Sequence, residues 1–274
     1  MTLGGQKVSA FVITYNEEAA LRDCLESVRW VDELVVVDSY SDDATVAVAR
    51  EYTDRIMFRE FVSFLDQTRF AFQQTTGDWV LWLDADERLT QKACDEIAEV
   101  FSRPGGPSCD GLAFPRKTFF MNRWITHSGW YPQRKLRLFR RTAAEVTGYA
   151  PHPAVTVRGE VLKLDGDILH LSYPGGILDM MRRSAGFAEL AADVRYADGK
   201  RFSLLSLLLK PPLEFLKKTV LQRGFLDGLP GLAIAVGSAY YRFVREMKLW
   251  ELEHGHEPEP PEVPRMRLKD GDER

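Results

Sequence analysis

Residues 77–87 read GDWVLWLDADE: the apolar run Trp79-Val80-Leu81-Trp82-Leu83 is followed at once by Asp84, Asp86 and Glu87. A short unbroken apolar run bounded by turn residues is the pattern of a strand covered on both faces, as in a parallel sheet between helices. Towards the N-terminus, 8–14, 34–37 and 56–58 share that β-branched, apolar character and read as three further buried strands. Between the first two, Leu21, Cys24, Leu25 and Val28 fall at helical spacing, and 45–52 and 67–75 read as two more helices. Beyond the opening stretch, 91–101 places Cys94, Ile97, Ala98 and Phe101 on one helical face and stops at the loop RPGGPSCDG. Strand alternating with helix predicts βαβ units. Right-handed crossovers then gather the C-terminal ends of the strands on one edge, where such sheets bind ligands.

The groups expected at that edge are Thr14, Tyr15, Asn16 and Glu17 after the first strand, Asp38 after the second, and Asp84, Asp86 and Glu87 after the fourth. Two carboxylates one residue apart at a strand end suit a hard divalent cation, Mg2+ or Mn2+. Such an ion would neutralise a diphosphate leaving group. An isolated Asp-x-Asp is more often a solvated turn, so the pair gains weight only from its surroundings. Asp38 is placed to accept from ribose hydroxyls or a base N–H, whereas Asp42 and Asp43 fit a turn or capping role better. The turn after the first strand reads TYNEEAAL and lacks the G-x-G-x-x-G of a nicotinamide dinucleotide fold, which that absence disfavours.

FVITYNEE (11–18), VVVDSYSDDAT (35–45) and GDWVLWLDADE (77–87), in this order and spacing, closely resemble the nucleotide-binding half of family 2 glycosyltransferases with the GT-A fold. HSGWYPQRKLRLFRR, GDILHLSY, KRFSLLSLLLKP and RGFLDGLPG look like the subgroup containing bacterial lipopolysaccharide-core glycosyltransferases. The resemblance implies an α/β chain: a Rossmann-like, mostly parallel sheet flanked by helices, with a C-terminal helical, membrane-proximal appendage. It implies that Thr14, Tyr15 and Glu17 line a nucleotide pocket, that Asp38 meets base or ribose, and that Asp84 and Asp86 meet ribose and metal. It further implies a nucleotide-sugar donor, UDP-linked in the present reading, and inversion at the anomeric carbon. On this basis 1–176 form the transferase domain, 177–250 a basic helical segment and 251–274 a disordered tail, the last also on its HGHEPEPPEVP composition.

Residues 127–141 combine His127, Trp130 and Tyr131 with Arg134, Lys135, Arg137, Arg140 and Arg141. Aromatic faces suit sugar rings, so His127, Trp130 and Tyr131 are the acceptor candidates, and arginines suit phosphates. Strand alternation would put Lys135, Arg137 and Phe139 on one side and Leu136, Leu138 and Arg140 on the other. Arg137 is thereby a candidate for the donor diphosphate or an acceptor phosphate. An inverting transfer also needs a base for the acceptor hydroxyl's proton. The related enzymes suggest an acid beside the histidine of GYAPHPAV, but Ala150, Pro151 and Pro153 surround His152 here. His152 is then either the base itself or a structural histidine, with Glu87 and Glu145 in reserve. The missing acid also admits a catalytically silent nucleotide-sugar or glycolipid binding protein.

At 274 residues with 45% hydrophobic residues the chain can bury a full core, and a net charge of -4 disfavours nucleic acid as a partner. Cys24, Cys94 and Cys109 are odd in number and lack metal-site spacing, as for free thiols in a reducing compartment. The C-terminal third contains FSLLSLLL and LPGLAIAVGSAYY, but its longest uncharged run is 228–241, short of the roughly 18–20 apolar residues of a membrane span. With Lys200, Arg201, Lys210, Lys217, Lys218 and Arg223 nearby, these helices are expected to lie on an anionic membrane face; a helical cap on the sheet or on a second subunit gives the same signal. No secretion signal opens the chain, so the expected location is cytoplasmic, peripheral to the inner face of the cytoplasmic membrane. Without spanning helices or a Q-x-x-R-W motif, a lipid-linked or lipopolysaccharide-core acceptor would receive one sugar rather than a growing polymer.

Overall fold

The computed structural model of the chain describes residues 3–149 and 152–255. Its first half runs β1 (Val8–Thr14), α1 (Glu18–Ser27), β2 (Glu33–Asp38), α2 (Thr45–Arg50), β3 (Ile56–Phe58), α3 (Phe64–Gln73) and β4 (Trp79–Asp84). The strands lie in the order β3-β2-β1-β4, all parallel. Register places Thr14 opposite Asp38 and Ile13 opposite Asp84, so the three strand ends meet on one edge. Period-two alternation sends Val8, Val12, Leu81 and Leu83 into a core shared with Leu21, Leu25, Ile97 and Phe101. Phe11, Val35, Val37 and Val80 enter a second core on the opposite face. Helix α3 begins at Phe64 rather than at 67, because the Ser63 side chain accepts the free N–H of Asp66 and caps the helix there.

The chain continues through β5 (Glu87–Leu89), α4 (Gln91–Phe101), β6 (Gly111–Phe120), β7 (Arg123–Trp124), β8 (Gln133–Arg140), β9 (Ala144–Tyr149), β10 (His152–Val157), β11 (Val161–Lys163) and β12 (Ile168–His170). Strand β8 inserts antiparallel between β4 and β6, and β12 and β5 extend the sheet beyond β6. The β9–β10 hairpin pairs separately, with Val146 and Val155 packed in the core beneath α3. In β8 the expected alternation fails at one place. Leu138 pairs with Leu112 but Leu136 pairs with Ala113, so a bulge leaves Arg137 unopposed and switches the parity of the strand. Leu136 therefore packs with Phe139 rather than with Leu138.

Three helices complete the described chain: α5 (Gly176–Ala197), α6 (Leu204–Leu216) and α7 (Leu229–His254), with a π-helical turn at Lys217–Leu221 and a 3-10 turn at Gly224–Asp227. Helix α7 carries past 250, so Glu251–His254 are helical rather than tail; the rest of the expected tail lies outside the described residues. Helices α5 and α7 approach closely where Gly237 leaves room for Met180; a Cβ there would sit 2.6 Å from the methionine Cε. Arg242–Glu214 at 3.0 Å and Lys210–Glu246 at 3.2 Å tie α6 to α7. Among the described residues no helix is long and apolar enough to cross a membrane.

Candidate functional site

The loops after β1 and β2 are laced together. Asn16 takes a left-handed backbone, φ 54°, which an Asn tolerates better than most residues, and its N–H donates to Ser41 Oγ at 2.9 Å while its own Oδ1 accepts from Asp42 N at 3.0 Å. Glu17 N donates to Thr45 Oγ1 at 2.8 Å. Asp43 has the turn role expected of it, accepting from Thr45 N and Glu18 N. Asp38 differs from expectation: it is fully buried, and its two oxygens accept from Ser41 N at 2.8 Å and Ser41 Oγ at 2.5 Å. As it stands Asp38 shapes the turn, and contact with a base or ribose requires Ser41 to give way. Among the exposed groups of this rim are Tyr15 and Tyr40, each 58% accessible, with Glu17 half-buried beside them. Thr14 is buried, and its Oγ1 has no hydrogen-bond partner, an open demand of the kind a ligand can meet.

Burial pushes the Glu17 carboxyl up to about 7; the nearby Asp86 charge adds to that and Arg183 opposes it. A carboxyl held near neutrality in a cleft is a mark of functional sites.

The acids after β4 divide into two settings. Asp84 Oδ1 accepts from Trp82 Nε1 at 3.1 Å and its Oδ2 from Arg137 at 2.7 Å. Arg137 reaches Glu87 at 2.8 Å and lies over the Trp82 ring, 4.5 Å from its centroid. Its side chain is 5% exposed and that of Glu87 0%. Burial works against the Arg137 charge, but Asp84 and then Glu87 more than offset it and hold the guanidinium above its ordinary range. Burial alone would likewise raise Glu87, yet Arg137, then His170 and Arg116, keep it below the usual carboxylate range.

Arg137 stands here as a buried counter-ion, and Glu87 lies enclosed between Arg137 and Arg116; a phosphate contact by the one or proton transfer by the other requires these pairs to open. On the same strand the half-buried Lys135 has its ammonium lowered to about 8 by burial and by Arg116 and Arg137. It is the cation better suited to meet an incoming anion.

Asp86 sits apart from this group. Its Oδ2 lies 3.4 Å from His170 Nε2, its carbonyl accepts from Leu171 N, and His170 Nδ1 is 3.3 Å from Thr118 Oγ1. That imidazole, oriented from behind, faces a partly open carboxylate and was missed in the sequence. Among the described residues no group of three or more His, Cys, Asp or Glu is arranged to hold an ion alone. Mg2+ needs only one or two carboxylates when substrate phosphates and water complete its shell, so Asp86 fits such an ion, with His170 beside it and Asp84 as a second carboxylate already engaged by Arg137.

Of the acceptor candidates, Trp130 stacks on Tyr173 at 5.7 Å and approaches Phe120 at 5.6 Å. It lines a cavity of about 290 Å3 with Tyr173, Lys218 and Arg242. Tyr131 OH donates to Asp167 Oδ1 at 3.0 Å. His127 is held by the fully buried Asp227, which accepts from the N–H groups of Thr126 and His127 and from Ser128 Oγ at 2.9–3.1 Å and lies 3.4 Å from His127 Nδ1. Arg123 donates to the carbonyls of Leu226 and Asp227, and Lys218 to that of Ser128, so the aromatic loop is built against the C-terminal turns. The side chain of His152 and the neighbouring residues 150–151 lie outside the described residues.

Known proteins similar to this chain point to one family. An uncharacterized glycosyltransferase of Rickettsia typhi is 31% identical over 90% of this chain and 88% of its own length. The lipopolysaccharide core biosynthesis glycosyltransferase LpsC of Rhizobium meliloti is 29% identical over 89% of this chain and 92% of its own. Among solved structures, S. aureus TarS 1-349 has a TM-score of 0.44 at 16% identity, covering 88% of this chain and 90% of that one. Mannosyl-3-phosphoglycerate synthase from Rubrobacter xylanophilus has a TM-score of 0.47 at 18% identity, covering 73% and 77%. These structural likenesses are too distant to carry an argument. The family model of glycosyl transferase family 2 matches residues 9–162, more than half of the chain, and on that match the protein belongs to this family of glycosyltransferases.

Proposed function

We propose that this chain transfers one sugar, with inversion, from a UDP-linked donor to a lipid-linked or lipopolysaccharide-core saccharide at the inner face of the cytoplasmic membrane. The observation that carries the reading is the pair at the end of β4: Asp84 and Asp86 both keep solvent access, 40% and 19%, with Arg137 binding Asp84 and His170 beside Asp86. The similarity to LpsC supports the choice of acceptor. Tyr15 offers a ring face to the base, Thr14 and Glu17 line the pocket, and Lys135 approaches the diphosphate. A divalent cation, when bound, neutralises the diphosphate so that it can leave with the bonding electron pair. Trp130 and Tyr173 form the wall against which the acceptor sugar stacks. The acceptor hydroxyl attacks the anomeric carbon from the side opposite the diphosphate, and His152 takes its proton.

A second reading keeps the donor pocket and drops the transfer. It is favoured by the absence of an acid around His152 and by the sealed environment of Glu87. Calorimetric binding of UDP, GDP, ADP and CMP, with and without Mn2+, tests the first point. Mn2+-dependent binding of UDP, weakened about tenfold or more in Asp86→Asn through loss of a charged ligand, is the expected result. No binding of any nucleotide would overturn both readings, and donor binding without transfer to any lipid-linked acceptor would select the second.

A further inference from the structure

Among the described residues, most of the exposed large apolar side chains fall between 204 and 250. Helix α6 has no buried residue; Leu204, Leu205, Leu208 and Leu213 on it are 60–67% accessible. Leu221, Phe225 and Leu229 continue the surface through the turns into α7. Pro211, Pro212, Phe215, Val236, Tyr240 and Phe243 line an open, almost wholly apolar groove of about 480 Å3 between α6 and α7. A soluble monomer seldom leaves so continuous an apolar patch bare, so the patch has an occupant. Charge selects which. Residues 200–223 carry six cations, Lys200, Arg201, Lys210, Lys217, Lys218 and Arg223, against one acid, Glu214; Glu214 is paired with Arg242 and Lys217, and Lys210 with Glu246 of α7, which still leaves the surface net basic. A second copy docked on this face would bring like charges together, whereas an anionic bilayer complements them. Helix α6 has 13 residues, about 20 Å of rise, too little to span and enough to lie in the interface plane.

We propose that α6, the turns at 217–227 and the start of α7 form a lipid-insertion surface: the leucines enter the boundary of headgroups and acyl chains, and Lys217 and Arg223 stay among the headgroups. This deepens the membrane-borne-acceptor reading and rests on it. The π-helical turn and α7 contribute Lys218 and Ser238 with Arg242 to the cavity of Trp130 and Tyr173, so an acceptor with its tail in the bilayer presents its saccharide there.

The test is co-sedimentation of the full chain with vesicles of phosphatidylcholine alone or with about one-third phosphatidylglycerol, alongside nucleotide binding. The expected result is salt-sensitive partition onto the anionic vesicles, reduced about tenfold or more in the double variant Leu205→Glu/Leu208→Glu with nucleotide binding unchanged. Both side chains are exposed, so their replacement leaves the core intact. A chain that binds nucleotide but never the vesicles overturns the proposal and spares the transferase reading. A double variant that binds vesicles like the wild type while splitting a dimer in sedimentation velocity also overturns it, assigning the face to a second copy. Vesicle binding weakened by the double variant, in a chain that binds no nucleotide, supports the surface and sinks the transferase reading.

Discussion

Replacing Arg137 by Met removes the guanidinium and keeps an apolar stem on the Trp82 ring. Glu87 is then left with no exposed surface and with Arg116, at 3.4 Å, as its remaining arginine. Breaking a buried pair from one side costs about 3–5 kcal/mol. The Asp84 arm adds little, because that carboxylate is 40% exposed and screened by water, and the lost cation–π contact adds about 1 kcal/mol. Arg116 returns part of this, so a net loss of about 3 kcal/mol is expected, a large share of the roughly 5–15 kcal/mol of a typical domain.

The sign of the pH dependence is the sharper test. In the wild type the folded-state value of Glu87 lies below 4.5, so its contribution is present above that value and is lost as pH falls through the folded one. In the variant, burial without Arg137 pushes the carboxyl up. The folded state then holds a proton that the unfolded chain releases, and stability declines as pH rises above about 4.5. Urea unfolding of the full chain at about pH 5.5 and 8, for the single variant and for Arg137→Met/Glu87→Gln, reads both effects. The double variant should recover at least about half of the loss, since no buried charge is left unpaired. A single variant that loses under about 1 kcal/mol, with no pH slope and no recovery in the double, would refute the ion-pair account.

Glu17→Gln should weaken Mn2+-dependent nucleotide binding while stabilising the protein by about 1 kcal/mol at pH 8, since a carboxyl pushed up to about 7 is ionised there against its preference and solvent screening of this half-buried group removes much of the full effect. The wild type loses that stability as pH rises from about 4.5 through 7, and the variant does not; urea midpoints across this range and calorimetry check the two halves. Asp227→Asn swaps one acceptor oxygen for a donor facing other donors, a loss of about 2–4 kcal/mol; it should loosen the Trp130 loop and raise the acceptor KM with nucleotide binding intact, read by steady-state kinetics. His152→Gln should lower kcat about 10²–10⁴-fold and leave donor affinity unchanged; an unaltered kcat and pH profile would remove His152 as the base.

Much of the fold was legible because single strands carried their own signal. The runs at 8–14 and 56–58 and the helix at 91–101 were placed end to end, each being an apolar or periodic segment closed by turn residues. Parallel pairing then put Thr14, Asp38 and Asp84 on one edge as expected. The roles of the acids were not legible. Glu87 looks like a solvated residue after a strand, and only its pairing with β12 as part of β5 buries it. Arg137 looks like one cation among many, and only the packing of β8 beside β4 sets it over Trp82 and against Asp84 and Glu87. His170 has no local pattern at all. Asp227 did leave a trace, as an acid inside the apolar turn GFLDGLPG, but its donors come from a loop about 100 residues away.

The Asp-x-Asp motif gains its meaning from what arrives on either side of it. Strand β4 ends at Asp84 and β5 begins at Glu87, so Asp86 belongs to the turn between them and its direction is not fixed by β4. The backbone bond to Leu171 and the contact with His170 position Asp86 from β12, whereas Arg137 positions Asp84 from β8. One neighbour brings a guanidinium that binds its carboxylate at 2.7 Å; the other brings an imidazole 3.4 Å from its carboxylate. Two acids a single residue apart are thereby assigned different work, because the sheet sets β8 next to one and β12 next to the other.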